Sequence, residues 1–248
     1  MRATRLVMGM PVTVEIADDC EDSLTDEIFA YFDAVDRRFS TYKAESEISA
    51  INRGEVASAD FSKAMQEVLA LAATTCVETG GYFDARTPRG DLDPSGIVKG
   101  WAIRNAAAML HDSGCRNFYV DAGGDIQSSG VNDAGNPWQV GIRNPFDARQ
   151  VVKVIAPSGR GVATSGTYVR GQHIYNPHAP GTAIEDIVSL TVIGPDVLEA
   201  DRFATAAFAM GADGISFIAT RPELEGYLIR RDGRATMTRG FDAYVVRA

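Results

Sequence analysis

The apolar positions near the start of the chain repeat every second residue: Val12, Val14 and Ile16 alternate with Pro11, Thr13 and Glu15. That period predicts a strand over residues 7–17, with Pro11 marking an edge or an entry bend. The period then lengthens. Ile28, Phe29, Phe32, Val35 and Phe39 recur at three- and four-residue steps, predicting a helix that Ser23 or Thr25 caps and that ends near Ser40. SEISAIN (46–52) predicts a short helix capped by Ser46. A longer helix is expected over 62–78, with Met65, Val68, Leu69, Ala72 and Cys76 toward the core and Gly80 and Gly81 closing it. Another is expected over 97–111, ended by Gly114.

From Arg116 onward short strand-like runs take over: NFYVDAGGDIQSSG, PWQVGIRNP, VVKVIAP, GVATSG, IVSLTVIG, GYLIRRDGRATMTRG and FDAYVVRA. Turn pairs such as Asn132 and Asp133, Ser158 and Gly159, and Asp232 and Gly233 separate them, as hairpins require. One clear helix, from about Val197 through RFATAAFAMG, and a short one over 213–221 interrupt this half. Helices gathered early and antiparallel strands late, without regular βαβ alternation, predict an α+β fold with one domain over 1–248.

Charge narrows the classes of partner. The 24 Lys and Arg against 33 Asp and Glu leave a formal charge of −9, which repels a polyanion and offers no basic field, so nucleic-acid binding is not expected. A small anion held by local donors or a metal stays open. No apolar run reaches the roughly 20 residues that cross a bilayer, so no membrane span is expected. Cys20, Cys76 and Cys115 are odd in number and lack CxxC spacing, and are expected to be plain buried or half-buried thiols.

Four glycine-containing clusters place small residues beside an acid, a base or a hydroxyl: GGYFD (80–84), DPSGIVKG (93–100), DAGGD (121–125) and ATSGTY (163–168). None is a Walker loop or a GxGxxG fingerprint. In DPSGIVKG, Asp93 and Lys99 flank a turn that opens a helix, where free N–H groups and an ammonium suit a phosphate; the plainer reading is a cap with Lys99 in solvent. DAGGD reads as a tight turn between strands or as a ligand-facing loop. Asp201 and Thr205 lie four residues apart on one helix face, and with a nearby carbonyl they suit Mg²⁺, a hard cation that prefers oxygen. Their plainer reading is a helix-end acid and a back-bonded hydroxyl. Of the histidines, His111 closes a helix, His178 sits in the solvated turn NPHAPG, and His173 alone has candidate catalytic neighbours. Ser165 is not in a G-x-S-x-G elbow, so a triad hydrolase is not expected.

In order along the chain, VMGMPVTVEI, RFSTYKAESEISAIN, TGGYFDART, DPSGIVKGWAI, FYVDAGGDIQSSG, WQVGIRNP, ATSGTYVRGQHIYNP and ADRFATAAFAMG resemble the ApbE-type flavin transferases, covering about residues 8–211. The resemblance implies an Mg²⁺-dependent FAD:protein FMN transferase. It implies FAD contacts from Met8, Tyr42, Tyr82, Phe83, Asp84, Asp93, Lys99 and Ile174, with Tyr42 covering an adenine face. Gly123, Gly124 and Asp125 would line the flavin side, with Ser165 close by. Asp201, Thr205 and the carbonyls of Gly96 and Ala204 would form the Mg²⁺ set. The sequence departs from the family pattern at MGM, where MGT is usual, at HIYNP, where Asn176 replaces an acid, and in a short segment between GYFD and DPSG.

The implied reaction has a Thr or Ser hydroxyl of an acceptor flavoprotein attack the FMN-side phosphorus of FAD, with AMP leaving. Lys99 adds positive charge at the diphosphate, and His173 is the expected base, since an imidazole with a pKa of about 6.5 takes a proton near neutrality. Two alternatives share the same residues: an Mg²⁺-dependent FAD pyrophosphatase giving FMN and AMP, and a non-catalytic FAD carrier. With the first family motif beginning at Met8, no export signal is expected and the protein is expected in the cytoplasm.

Overall fold

The computed structural model describes residues 1–21, 23–166 and 174–247. Strand β1 (Arg2–Val7) turns tightly at Met8 and Gly9 into β2 (Met10–Ile16). Four helices follow: α1 (Ser23–Phe39), α2 (Glu47–Asn52), α3 (Lys63–Glu78) and α4 (Ser95–Asp112). Ser46 caps α2 as expected, and Ser62, expected as the first residue of its helix, instead caps α3; each accepts from the backbone N–H three residues on. The second half holds β3 (Phe118–Ala122), β4 (Asp125–Ser129), β5 (Val140–Asn144), β6 (Asp147–Ile155), β7 (Gly161–Gly166) and β8 (Ile187–Gly194). Helices α5 (Val197–Ala209) and α6 (Gly214–Ala219) precede β9 (Glu225–Arg230) and β10 (Ala235–Met237). The α+β class holds, with most helices early and most strands late.

Among the described residues one antiparallel sheet runs in the order β1-β2-β3-β4-β7-β8-β9-β10, and β5 and β6 form a separate hairpin. The alternation read in β2 puts Val12, Val14 and Ile16 against α1 and α4, in a core with Phe29, Phe32, Ile103 and Leu110. Leu190 and Val192 of β8 meet α5 through Phe203 and Phe208. Ile193 turns the other way, with Ile126 and Val162, onto Val140 and Ile142 of β5. Helices thus cover one face of the sheet and the β5–β6 hairpin covers part of the other, which explains why β8 is buried along its whole length.

Between β4 and β7 the ladder is short. Only Ile126 with Val162 and Gln127 with Gly161 pair. Beyond them Asp125 Oδ1 accepts the Thr164 N–H at 3.0 Å, a side chain standing in for a ladder bond where the strands part.

Three expectations are corrected. Pro11 lies in an interior strand rather than at an edge, tolerated because it pairs with Leu6 of β1 while the ladder to β3 begins only at Val12. FDAYVVRA is not a strand. Phe241–Tyr244 forms a 3₁₀ turn that buries Phe241 beside Ile193, and only Val245 makes a bridge, to Ile155. Cys20 and Cys115 are joined in a disulfide between the segment after β2 and the residues before β3, leaving Cys76 as the free thiol.

Candidate active site

Segments far apart in sequence meet where β4 and β7 separate, around a cavity of about 790 Å³, within the ~300–1,000 Å³ usual for cofactor and small-molecule sites. One wall is the contact of α4 with α5. Gly96 and Gly100 lie four residues apart and face α5. A Cβ on Gly100 would stand 2.7 Å from Asp201 Cβ and 2.9 Å from the Val197 carbonyl, so only glycine admits α5 this close. The approach lets the Gly100 N–H donate to Asp201 Oδ2 at 2.8 Å. One helical turn on, the Thr205 hydroxyl donates to the Gly96 carbonyl at 3.5 Å. Asp201, Thr205 and Gly96 therefore offer three hard oxygens to one corner of the cavity.

Lys99 enters the same corner. Its Nζ is ion-paired with Asp125 Oδ2 and lies 3.6 Å from Asp201 Oδ1. The plainer reading of Lys99 as a solvated side chain does not hold, and Asp93 is not the cap of α4, which is Pro94; Asp93 stands one residue before it, its Oδ1 accepting the Ser95 N–H at 3.1 Å. Asp125 is 1% and Asp201 3% exposed. Burial, opposed by Lys99 and reinforced by Asp125, pushes the Asp201 carboxyl well above the usual carboxylate range. Burial likewise raises Asp121, while the Gly124 N–H at 2.8 Å pulls it down. Three carboxylates, Asp121, Asp125 and Asp201, thus gather around the half-buried Lys99 ammonium, with Arg143 farther along the same lining.

The loops complete the lining. Gly123 and Gly124, with φ of +63° and +97°, make the two-residue turn of the β3–β4 hairpin, a conformation that favours glycine. The tight-turn reading of DAGGD holds, and the two glycines also line the cavity. Tyr82, Phe83 and Asp84 line it from the turn after α3. Asp84 Oδ1 accepts the Arg86 N–H at 2.7 Å. His178, expected in solvent, is exposed yet anchored, its Nε2 2.9 Å from the Gly80 carbonyl and its ring edge-on to Tyr82. His111 lies in the last turn of α4, edge-on to Phe118.

Of the residues singled out in the sequence, Tyr82, Phe83, Asp84, Asp93, Gly96, Lys99, Gly123, Gly124, Ser165, Ile174, Asp201 and Thr205 line this one cavity. Asp125 stands behind the lining and holds Lys99. Three others stand apart from the lining. Met8 is in the β1–β2 turn at φ +55°, Ala204 is fully buried within α5, and Tyr42 is 98% exposed. His173 lies outside the described residues. The structure adds Asp121, Thr164 and Arg143 to the lining. Asp121 and Thr164 lay inside quoted glycine clusters, but the registers that turn them inward are tertiary; Arg143 carried no local signal beyond its place in WQVGIRNP.

Known proteins resemble this chain in sequence and in fold. The chain is 26% identical to an FAD:protein FMN transferase of Haemophilus influenzae over 96% of this chain and 88% of that protein. It is 32% identical to one of Vibrio cholerae over 64% of this chain, an alignment spanning 52% of that longer protein. The fold matches the solved flavin transferase ApbE from Vibrio cholerae, with a TM-score of 0.85, 24% identity and 98% coverage of both chains. It also matches the Thermotoga maritima ApbE protein, with a TM-score of 0.88, 20% identity and coverage of 100% and 99%. The sequence profile of the ApbE family matches residues 8–89 and 85–228. With nearly the whole length from β2 to β9 accounted for in this way, the chain belongs to the ApbE family.

Proposed function

We propose that this protein is an Mg²⁺-dependent FAD:protein FMN transferase, moving FMN from FAD to a Thr or Ser hydroxyl of an acceptor flavoprotein and releasing AMP. The observation that carries the reading is the convergence of Asp201, Thr205 and the Gly96 carbonyl beside the half-buried Lys99, in a cavity lined by more acids than bases. An all-oxygen set of one carboxylate, one hydroxyl and one carbonyl fits Mg²⁺ and would suit a thiophilic metal poorly. When bound, Mg²⁺ supplies charge neutralisation at the diphosphate.

The protein's own groups do the rest. Lys99, held by Asp125, presents its ammonium to the diphosphate, and the fixed pairing spares reorganisation when charge develops. Gly123 and Gly124 allow the backbone close to the flavin-side phosphate, while Tyr82 and Phe83 offer apolar ring surface and Asp84 and Asp93 offer acceptors to the nucleotide. Ser165 and Ile174 border the same space. In the transfer, the acceptor oxygen forms a bond to the FMN phosphorus as the phosphoanhydride bond to AMP breaks. The hydroxyl proton goes to a base, the role the sequence assigns to His173.

Among the described residues no helix is long and apolar enough to cross a membrane. The cytoplasmic expectation has a counterweight in the Cys20–Cys115 bond, since disulfides persist mainly in oxidising compartments.

The test is to incubate the protein with FAD and an extract of the cells that make it, with Mg²⁺ or with EDTA. Released AMP is followed by chromatography and labelled protein by in-gel flavin fluorescence. Mg²⁺-dependent AMP together with a fluorescent band supports transfer; AMP without any band indicates a pyrophosphatase, and intact FAD indicates a carrier.

A further inference from the structure

The cavity has a second wall of different construction. β5 is paired with β6 on one side only. The outer side of β6 is closed by the C-terminal segment, where the Val246 N–H donates to the Val154 carbonyl at 2.9 Å and the Ala156 N–H to the Tyr244 carbonyl at 2.8 Å. Because Val154 turns its carbonyl away from β5, the facing pair of Gly141 and Val154 is a non-hydrogen-bonded pair of the antiparallel ladder. The N–H and C=O of Gly141 therefore point to the edge away from β6. Among the described residues no backbone group bonds to that edge.

Three further features single this edge out. Gly141, Ile142 and Arg143 line the cavity, so a strand laid along β5 lies beside the site. Unpaired edges are usually blunted by charge, proline or a bulge; on β5 the register shifts only beyond Ile142, leaving Gly141 with no side chain over its edge. The hairpin is also locally basic on an acidic protein: β5 and β6 carry Arg143, Arg149 and Lys153 against Asp147 alone, while the chain has a net charge of −9.

We propose that β5 is the docking strand for the acceptor, and that an extended, acidic segment of the acceptor polypeptide adds to its free edge through the Gly141 amide and carbonyl, carrying its hydroxyl into the cavity. The proposal rests on the flavin-transfer reading, because that reaction requires a polypeptide to reach the phosphorus. Strand addition holds a polypeptide by its backbone, with side chains supplying selectivity. The basic hairpin attracts the acidic segment and speeds its encounter. Val151, 54% exposed, shares the open face of the hairpin with Gly141 and offers apolar contact to an incoming side chain.

Two substitutions at one position separate the edge bond from crowding. Gly141→Pro removes the N–H. Gly141→Ala keeps it while adding a similar Cβ, which meets Val151 Cγ2 at 3.2 Å. In the cell-extract assay with FAD saturating for each variant, the fluorescent band is expected to form at least about tenfold more slowly with Gly141→Pro, and within about threefold of the unmodified protein with Gly141→Ala, a tenfold change being that of a lost, desolvated hydrogen bond. Arg149→Glu combined with Lys153→Glu, both outside the cavity lining, gives a reading independent of the proline. It is expected to slow labelling several-fold at low salt and to abolish the slowing that added salt causes with the unmodified protein. Equal labelling by Gly141→Pro and the unmodified protein, or unaltered salt dependence in the charge-reversed variant, overturns strand docking while leaving the transferase reading intact. Absence of any band with the unmodified protein removes the transferase reading and this proposal with it.

Discussion

On the α4–α5 side of the cavity Asp201 is 3% exposed, Gly100 touches it through an N–H at 2.8 Å, and the charges are paired into one cluster. On the β5–β6 side Phe146 is 56% and Val151 54% exposed, and among the described residues no strand pairs with the outer edge of β5. The helical wall is close-packed around fixed oxygens, as a ligand of constant shape and charge requires. The hairpin wall offers backbone and open surface, which suit a partner whose sequence varies. Under the proposed function and the proposed docking, recognition of FAD and recognition of the acceptor fall to different secondary structures, and substitutions on the two walls should fail differently.

The largest effect is expected from Asp201→Asn. The amide keeps an acceptor for the Gly100 N–H and nearly the volume of the side chain, while it removes the charge and puts an NH2 donor in place of the oxygen that faces Lys99. AMP release from FAD should fall by about 10²–10³-fold, comparable to the loss of one preorganised electrostatic group, with little change in melting temperature. Gly100→Ala comes next and strikes the packing itself. Alanine is the better helix former by about 1 kcal/mol, but its Cβ would overlap Asp201 and Val197, and overpacking costs about 1–3 kcal/mol. Overlap should prevail, leaving a net loss of up to about 2 kcal/mol, measured as a lower melting temperature with AMP release reduced alongside it. Phe146→Ser, at the turn of the hairpin, is the smallest. Stability should stay within about 0.5 kcal/mol of the unmodified protein, as for exposed sites, while acceptor labelling slows by less than about tenfold. A large stability loss at Phe146, or none at Gly100, would erase the contrast between the walls.

The two walls also differed in how far the sequence disclosed them. Ser46 announced its helix because a cap is a local hydrogen bond, and the alternation of Val12, Val14 and Ile16 is likewise local. The spacing of Asp201 and Thr205 placed two oxygens on one helix face correctly. Nothing local showed that Gly96 and Gly100 would admit α5, that Asp125 would hold Lys99, or that the ladder between β4 and β7 would stop after two pairs. FDAYVVRA has a strand's composition, yet burial of Phe241 beneath β8 favoured a 3₁₀ turn. Cys20 and Cys115 stand 95 residues apart, and only the fold brings them together. The family resemblance supplied the expected nucleotide contacts, of which Tyr42 and Met8 lie away from the cavity lining.

The central claim is that one divalent cation sits among Asp201, Thr205 and the Gly96 carbonyl, next to Lys99. Anomalous diffraction from crystals grown with FAD and Mn²⁺ tests it most directly. The account predicts a single strong peak within about 2.0–2.4 Å of an Asp201 oxygen and the Thr205 hydroxyl, the range for a hard cation on oxygen ligands, with the diphosphate on its open side. A peak elsewhere with FAD bound, or FAD bound in this cavity and no metal between these oxygens and its diphosphate, would contradict the account.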